Sequence, residues 1–371
     1  MVTGLILSSV IIFLYVFLII LFIIGWRKIK YYRSKDIYCN IAVSVIVAVR
    51  NESENISFLL NDLKLQKYAK EKLQIIIVND HSEDNTESIV SENIKNSFNI
   101  KLVKLSEGKY GKKEAIIEGI NHANGKLIIT TDADCRVNKN WVATIAKFYQ
   151  TKQVKMIISP VLMNDDVSFF QKVQSLEFMS LIGSGASAIG IGHPIMCNGA
   201  NLAFEKSVFD ETMLEKKYVS GDDVFLLHNI KKNYSNKILF LKNRDAIVYT
   251  NSMGSLKELL NQRIRWASKS KSYSDIDSII VSLIIFLSNS ILSIYLILAF
   301  ADIIYLYCFF LFFLIKTIID FLFFIPIVKF FDKTKLLTLV LPVQFFYTFY
   351  VTFMATIGIF TKYNWKGRKC R

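Results

Sequence analysis

Two blocks of apolar residues enclose a segment in which short apolar runs alternate with polar ones. The first block, residues 3–24, carries no charged side chain, and its length suits about one bilayer crossing. The second runs from about residue 276 to 360, with apolar stretches at 278–300, 302–328 and 336–360. This distribution predicts a water-soluble domain held between membrane segments.

Between the two blocks, the pattern predicts strands that alternate with helices. Short β-branched runs at residues 43–49, 73–80, 99–105 and 125–134 are typical of buried parallel strands. Residues 55–66, 82–94 and 112–123 have helical spacing, with Ser82 as the candidate N-cap of the second helix. The alternation predicts βαβ units and therefore an α/β fold with a mostly parallel sheet.

Two further helices are expected on either side of a less regular stretch. Residues 169–190 form an amphipathic pattern that runs into small residues, and residues 252–273 form a basic amphipathic pattern typical of a membrane surface. The expected organisation is an N-terminal transmembrane helix (1–25), a basic linker (26–40), an α/β domain (41–250), an interfacial helix (251–275), C-terminal transmembrane helices (276–360) and a basic tail (361–371).

The charged residues beside the apolar blocks predict the orientation of the chain. A cleaved signal peptide is disfavoured, because basic residues should precede its apolar run, whereas here they follow it. By the positive-inside rule, the α/β domain is expected in the cytosol of a multi-pass protein of the plasma (inner) membrane. The basic residues that follow the first block are Arg27, Lys28, Lys30, Arg33 and Lys35.

The second block leaves its topology open. Three crossings there would place the basic tail outside, against the positive-inside rule, whereas two crossings and a re-entrant or interfacial segment would keep it inside. Pro342 makes a broken helix plausible in the last stretch.

Net charge and cysteine usage exclude several classes of protein. The formal charge of +14 favours anionic lipid head groups over nucleic acid, because the basic residues cluster beside apolar runs. The five cysteines are odd in number and none forms a C-x-x-C pair, so neither a disulfide framework nor a zinc site is indicated.

Polar residues follow several of the predicted strands. Arg50, Asn51 and Glu52 follow the first strand, Asp80 ends the second, and "TTDADC" ends the fourth. In parallel sheets, ligands bind at the carboxyl ends of strands. Asp132 and Asp134 stand at i and i+2, so their side chains are expected to share a direction. Two such carboxylates, together with substrate phosphates, suit Mg²⁺ or Mn²⁺.

A phosphatase of the haloacid dehalogenase type also has D-x-D at a strand end. That class needs Thr or Val where this chain has Arg136, and a second aspartate where it has Leu226. Both requirements fail, so a phosphatase is disfavoured.

The ordered motifs resemble family 2 glycosyltransferases of the GT-A fold, the group that includes cellulose, chitin and hyaluronan synthases. The resemblance covers about residues 41–270, and no single motif decides it, whereas the ordered set is specific. The motifs are "AVRNESENI", "VNDHSEDNT", "GKKEAIIEGI", "TTDADC", "CNGANLAF", "SGDDVFLL" and "QRIRW".

The resemblance implies roles for individual residues. The donor would be bound by Glu52, Asp80, Lys112, Asp132 and Arg263, with Asp80 at the nucleoside. Asp134 would be the main metal ligand, beside Asp132. Asp223 would be the catalytic base, and Gln262, Arg265 and Trp266 of Q-x-x-R-W would complete the catalytic set. Asn201 and Trp266 would face the acceptor, and Asn79, His81 and Ile117 depart from the family pattern.

Structural roles compete with several of these assignments. Ser220, Asp222 and Asp223 would also cap a helix over "VFLLHNI". The "QRIRW" segment would also suit a basic interfacial helix with an aromatic anchor, and Gly199 would suit a plain tight turn.

The resemblance implies an inverting transfer of sugar from a nucleotide-sugar, with uridine diphosphate as the expected nucleotide. The acceptor would be a lipid, a lipid-linked sugar or a glycan of the cell envelope. A processive synthase is the alternative, but the last block offers few polar residues to line a tunnel: Ser288, Asn289, Ser290, Asp302, Asp320 and Gln344. A non-catalytic scaffold is disfavoured, because Asp80, Asp134 and Asp223 are all present.

Overall fold

A seven-stranded sheet organises the chain in the computed structural model, which describes residues 2–33, 38–165, 168–214, 221–268, 273–360, 363–365 and 368–370. The strands in chain order are β1 (Val43–Val49), β2 (Leu73–Asn79), β3 (Ile100–Lys104), β4 (Leu127–Asp132), β5 (Arg136–Val137), β6 (Met156–Ile158), β7 (Val161–Met163), β8 (Leu202–Glu205), β9 (Ile238–Phe240), β10 (Val248–Thr250), β11 (Tyr363–Trp365) and β12 (Arg368–Cys370).

The helices alternate with these strands and then continue alone. They are α1 (Val2–Lys28), α2 (Ile56–Lys64), α3 (Thr86–Ile94), α4 (Lys112–Asn121), α5 (Trp141–Lys152), α6 (Phe169–Gly190), α7 (Asp222–Tyr234), α8 (Leu256–Ala267), α9 (Ile276–Leu298), α10 (Ile303–Phe331) and α11 (Val340–Phe360).

The sheet confirms the predicted α/β class. Its order is β3-β2-β1-β4-β8-β6-β9, and β1 pairs in parallel with both β2 and β4. Strand β8 runs antiparallel to β4 and to β6, so the sheet is mostly parallel. A smaller sheet, β5-β10-β7, lies beside it. The four strands expected from the sequence all form, each within a few residues of its predicted bounds.

Helices cover both faces of the large sheet. Alternate strand residues point to opposite faces, so β1 sends Val45 and Val47 to the side of α2 and α5, and Ile46 to the side of α4 and α6. The second face also receives Trp26 of α1 and Ile327 of α10. The hydrophobic core of the domain is therefore continuous with the apolar helices at the two ends of the chain.

Two local predictions were wrong. Helix α3 begins at Thr86 with Asn85 as N-cap, and Ser82 instead accepts a hydrogen bond from the Asn51 backbone amide at 3.1 Å. Pro342 does not break the last helix, because it lies in the first turn of α11, where a missing amide proton costs nothing. A 3₁₀ turn over Thr334–Leu339 precedes that helix.

Within the described residues, four helical segments are long and apolar enough to cross a membrane: Val2–Lys28, Ile276–Leu298, Ile303–Phe331 and Thr334–Gly358. The ends of the first three contact the α/β domain. Gly25 of α1 packs directly on Ser187 of α6, and Lys231 of α7 pairs with Asp275 and Asp277 at the start of α9. Arg244 donates to the last carbonyls of α10, at Phe330 (2.8 Å) and Lys329 (2.9 Å).

The last helix contacts the domain at both of its ends. Lys333, just before the 3₁₀ turn, forms an ion pair with Asp165. Gly358, near the other end, packs so closely on Ala267 of α8 that a side chain there would overlap it. Helix α11 therefore lies alongside α8, and it also packs against α9.

Candidate functional site

A cavity of about 390 Å³ opens beyond the carboxyl end of β4. Its wall brings together residues that lie far apart in the sequence. The expected site residues that line it are Lys112, Asp132, Asp134, Asp223, Gln262, Arg265 and Trp266. This position is where ligands bind in parallel α/β sheets, since the loops after the strands leave a crevice there.

Lys112 neutralises one of the carboxylates at the strand end. Its Nζ contacts Asp132 Oδ1 from the first turn of α4. Burial alone would lower the pKa of Lys112, but the charges of Asp132, Asp223 and Asp222 raise it above its usual value. The ammonium therefore stays charged, and it provides a fixed cation for an anionic ligand in the cavity.

Asp134 lies two residues beyond the end of β4. Because β4 ends at Asp132, Asp134 belongs to the following turn, where Thr250 Oγ1 contacts its Oδ2 at 3.4 Å. Both carboxylates nevertheless face the same cavity. The residues that the structure describes contain no group of three or more side chains able to hold a metal. The pair fits a hard cation whose other ligands come from phosphate oxygens and water.

Asp223 is held by backbone amides at the start of α7. Gly199 N donates to Oδ2 at 2.9 Å, and Val224 N donates to Oδ1 at 2.9 Å. The N-cap of the helix is Gly221, whose φ of +101° suits glycine. This residue has no side chain and so makes no side-chain capping hydrogen bond. Ser220, the other expected cap, lies outside the described residues. The Asp223 carboxylate can therefore bind a backbone amide at the start of α7 and still face the cavity.

Tyr273 lines the same cavity as Asp223. Burial, followed by the charge of Asp223, raises the pKa of the Tyr273 hydroxyl. The phenol therefore stays protonated at neutral pH and can act as a hydrogen-bond donor. No pattern in the sequence pointed to this tyrosine, because it follows α8 in a segment without a motif.

Helix α8 presents only part of its motif to the cavity. Gln262, Arg265 and Trp266 line the wall, as their helical spacing predicts. Within the described residues, Arg263 is not part of that wall. Its guanidinium is buried against Glu177 of α6, with Nη2 donating to Oε2 at 2.8 Å, and it stacks 4.3 Å from the Trp266 ring. This geometry gives no support to the donor-binding role expected for Arg263, which stays a prediction.

Asn201 is also placed differently from expectation. It is fully buried, and its Oδ1 accepts a hydrogen bond from Trp141 Nε1 at 3.0 Å. Its Nδ2 donates to the carbonyls of Pro160 and Ala246, both at 2.7 Å. All of these bonds are internal, so the structure gives no support to the acceptor-side role expected for Asn201, which stays a prediction. The neighbouring Asn198 and Gly199 line the cavity instead.

Asp80 and Glu52 lie at the ends of neighbouring strands, beside the cavity. Asp80 is buried and its Oδ2 accepts from Gly111 N at 3.0 Å. Arg50 braces the same turn by donating to the Asp80 carbonyl at 2.9 Å. Glu52 Oε2 accepts from Asn55 Nδ2 at 3.0 Å, so its carboxylate orders the first turn of α2. Among the described residues, Asp80 and Glu52 are not part of the cavity wall.

An aromatic pair lies next to Asp80. The His81 and Tyr110 rings are 4.7 Å apart, and His81 has a left-handed φ of +53°. This histidine departs from the glycine that the motif usually has, and a positive φ at that position explains why glycine is common there.

Comparison with known proteins agrees with this architecture. Residues 44–212 match the family model for glycosyl transferase family 2. A poly-beta-1,6-N-acetyl-D-glucosamine synthase of Staphylococcus aureus (strain COL) is 31% identical over 162 residues, which are 42% of this chain and 38% of that protein. The synthase of the same name from Staphylococcus epidermidis is 31% identical over 148 residues, covering 38% of this chain and 34% of that protein.

The chain thus spans well under half the length of these curated relatives. Among solved structures, a mannosyltransferase from Pyrobaculum calidifontis in complex with GDP-Man and Mn²⁺ is similar, with a TM-score of 0.52 and 19% identity. The match covers 72% of this chain and 71% of that one. At this level of identity, the likeness shows the shared fold.

Proposed function

We propose that this chain, whose residues 44–212 match the family model for glycosyl transferase family 2, transfers a sugar from a nucleotide-sugar to an acceptor at the membrane surface. The observation that carries the proposal is the single cavity that collects Lys112, Asp132, Asp134, Asp223 and Arg265. The cavity thus combines cationic side chains that could bind a diphosphate with carboxylates that could hold a metal or act as a base.

Asp223 is the proposed base. The acceptor hydroxyl attacks the anomeric carbon from the face opposite the leaving diphosphate, and its proton passes to Asp223. A bond forms from the acceptor oxygen to the anomeric carbon, and the bond from that carbon to the phosphate oxygen breaks, which inverts the configuration. Two backbone amides orient the carboxylate, so it need not reorganise during the step.

Lys112 and Arg265 are the proposed cations for the leaving group. Lys112 stays charged beside Asp132, and Arg265 approaches the cavity from α8. Arginine suits a diphosphate because its planar guanidinium binds two phosphate oxygens at once. Trp266 offers a flat apolar face on the acceptor side, and Gln262 completes the polar wall.

A divalent cation, Mg²⁺ or Mn²⁺, would be held by Asp134 and Asp132. When bound, it supplies positive charge to the departing diphosphate. Among the described residues, Asp132 and Asp134 belong to no group of three or more side chains able to hold a metal, which supports a site that the donor phosphates complete.

Asp80 is proposed to bind the nucleoside of the donor, with uridine as the expected base. The Gly111 amide fixes one oxygen of Asp80, and the His81–Tyr110 pair offers an aromatic surface beside it. Because the curated relatives are poly-beta-1,6-N-acetyl-D-glucosamine synthases, UDP-N-acetylglucosamine is the first donor to test.

A single addition to a lipid, a lipid-linked sugar or a glycan is proposed for the acceptor step. The polar residues that could line a tunnel are partly engaged within the helices. Asp320 binds Tyr15, Lys316 and Gln344, and Ser288 donates to Ile285. The processive alternative is favoured by the names of the curated relatives, which are polymer synthases.

The proposed location is the plasma (inner) membrane, with the domain in the cytosol and membrane lipids around α1, α9 and α10. Basic residues end α1, where Arg27 and Lys28 stand in its last turn. The contact of α11 with α8, and the Lys333–Asp165 pair before the 3₁₀ turn that precedes α11, support an interfacial position for that helix.

The experiment is nucleotide release by the purified, detergent-solubilised protein with a panel of sugar nucleotides, with Mn²⁺ or Mg²⁺ and with a chelator. Metal-dependent release from one donor, followed by product sizing with alkyl glycosides and oligosaccharides, supports the proposal. One added sugar favours single addition, and a ladder favours the processive alternative. Absence of both turnover and calorimetric donor binding would favour a non-catalytic scaffold.

A further inference from the structure

Three consecutive residues at the start of α4 each contact a carboxylate on a different element. The Gly111 amide donates to Asp80 after β2, and Lys112 pairs with Asp132 at the end of β4. Lys113 Nζ then lies 3.6 Å from Asp222 Oδ1 at the start of α7. This one turn therefore connects the donor side of the site to the helix that carries Asp223.

The placement of Lys113 is unfavourable on local grounds. A cation in the first turn of a helix opposes the positive end of the helix dipole. Lys113 is also only 7% exposed, and buried lysines are rare unless they are paired. The local cost indicates that the ion pair with Asp222 serves the site, because sequences break local rules mainly where function requires it.

The first turn of α7 is held from two directions. Gly199 N binds Asp223 on one side, and Lys113 attracts Asp222 on the other. Between these contacts, Gly221 begins the helix with a φ of +101°, a conformation that gives the turn no side-chain cap of its own. External contacts therefore set the position of this turn.

We infer that Lys113 is a positioning residue, which holds Asp222 and thereby fixes the Asp223 carboxylate relative to the donor-binding turn. The inference rests on the proposed function for the role of Asp223. Lys112 and Lys113 thus have different roles. Lys112 lines the cavity and meets the donor phosphates, whereas Lys113 acts through Asp222 from outside the cavity wall.

The test compares Lys113→Met with Lys113→Arg and with Lys109→Met. Lys109 is the matched control, because it forms an exposed ion pair with Glu118 of the same helix at 3.2 Å. We expect Lys113→Met to lower kcat by about 10- to 100-fold through misplacement of the base, with the donor KM within about threefold of wild type. Lys113→Arg should recover most of kcat, and Lys109→Met should match wild type.

A double variant separates the pair from other effects. If Lys113 acts through Asp222, Lys113→Met/Asp222→Asn should have a kcat no lower than the poorer single variant, because the coupled losses do not add. A kcat for Lys113→Met within twofold of wild type would overturn the inference. A raised donor KM with unchanged kcat would do the same, since Lys113 would then be a donor ligand.

Hydrogen exchange tests the positioning role of Lys113 without an activity assay. Peptides that cover residues 221–226 should exchange faster in Lys113→Met than in wild type, and at the wild-type rate in Lys109→Met. A wild-type protein without transfer activity would contradict the proposed function, whereas this exchange comparison would still decide the positioning role. Unchanged exchange in Lys113→Met would reject that role.

Discussion

The backbone amide of Gly199 donates a hydrogen bond to Asp223 Oδ2 at 2.9 Å. This bond joins the turn before β8 to the start of α7, two segments separated by 24 positions in the sequence. Because Val224 N binds the other oxygen, the carboxylate has a fixed orientation with its remaining lone pairs available to the cavity. This arrangement suits the proposed role of Asp223 as acceptor for the substrate proton.

Replacing Asp223 with Asn should therefore abolish transfer and spare donor binding. We expect kcat to fall by at least about 10²-fold, because the amide cannot accept the acceptor proton. Nucleotide binding by calorimetry should stay within about threefold of wild type, since the donor contacts are elsewhere. The exposed Glu107→Gln is the control for loss of one negative charge. Near-normal turnover of Asp223→Asn would assign the base to another residue.

Asn201 is expected to matter for folding and not for the acceptor. Asn201→Ala would leave Trp141 Nε1 and the carbonyls of Pro160 and Ala246 without their buried partner. The predicted loss of unfolding free energy is about 3 kcal/mol, measured as a lower unfolding temperature in detergent. The exposed Asn164→Ala should change stability by less than about 0.5 kcal/mol. A stable Asn201→Ala with a raised acceptor KM would restore the role expected from the sequence.

Substitutions of the two arginines of "QRIRW" are predicted to have different effects, one on stability and the other on kcat. Arg263→Met leaves Glu177 buried without its partner, which should cost about 3–5 kcal/mol of stability. Much of that loss should return in Glu177→Met/Arg263→Met, where no unpaired charge remains. Arg265→Met should keep the wild-type unfolding temperature but lower kcat by about 10²-fold, because it loses a charge at the leaving group. If both single variants lost only activity, both arginines would face the donor.

Asp134→Ala is predicted to remove the metal dependence of turnover. Asp134 and Asp132 are the only carboxylates of the D-x-D motif, and Asp132 already pairs with Lys112. Loss of Asp134 should reduce activity at saturating Mn²⁺ by about 10²-fold or more. The chelator should then have no further effect. A variant that keeps full, chelator-sensitive activity would show that the metal is held elsewhere.

The strands and the position of the cavity follow directly from the sequence. Runs such as Val43–Val49 are short, β-branched and bounded by polar residues, so period and length both indicate a buried strand. The residues after these strands then meet at one edge because parallel strands share a direction. Asp132 reaches the cavity for this reason, whereas Asp223 and Arg265 reach it from the first turn of α7 and from α8.

Side-chain partners across the fold were harder to predict. Asn201 and Arg263 belong to the motifs "CNGANLAF" and "QRIRW". The motifs alone do not show that Trp141 and Glu177 contact these two residues from other helices. The Lys113–Asp222 pair was missed for the same reason, although a second lysine in the first turn of α4 was a visible departure from helix-terminus preferences. Asn85 replaced Ser82 as the cap of α3 because Ser82 binds the Asn51 amide.

The last prediction concerns the topology that the apolar pattern left open. If α11 lies along α8, an alkaline phosphatase fused after Arg371 should be inactive and a fluorescent protein fused there should be bright. A phosphatase fused after Ala301, between α9 and α10, should be active, because the proposed topology has the domain in the cytosol and α9 as the crossing that follows it. The basis is that Lys333 pairs with Asp165 and Gly358 packs on Ala267, so both ends of the segment meet the catalytic domain. An active phosphatase at the C-terminus would mean that α11 crosses the membrane, and its contacts with α8 would then have to belong to one end only.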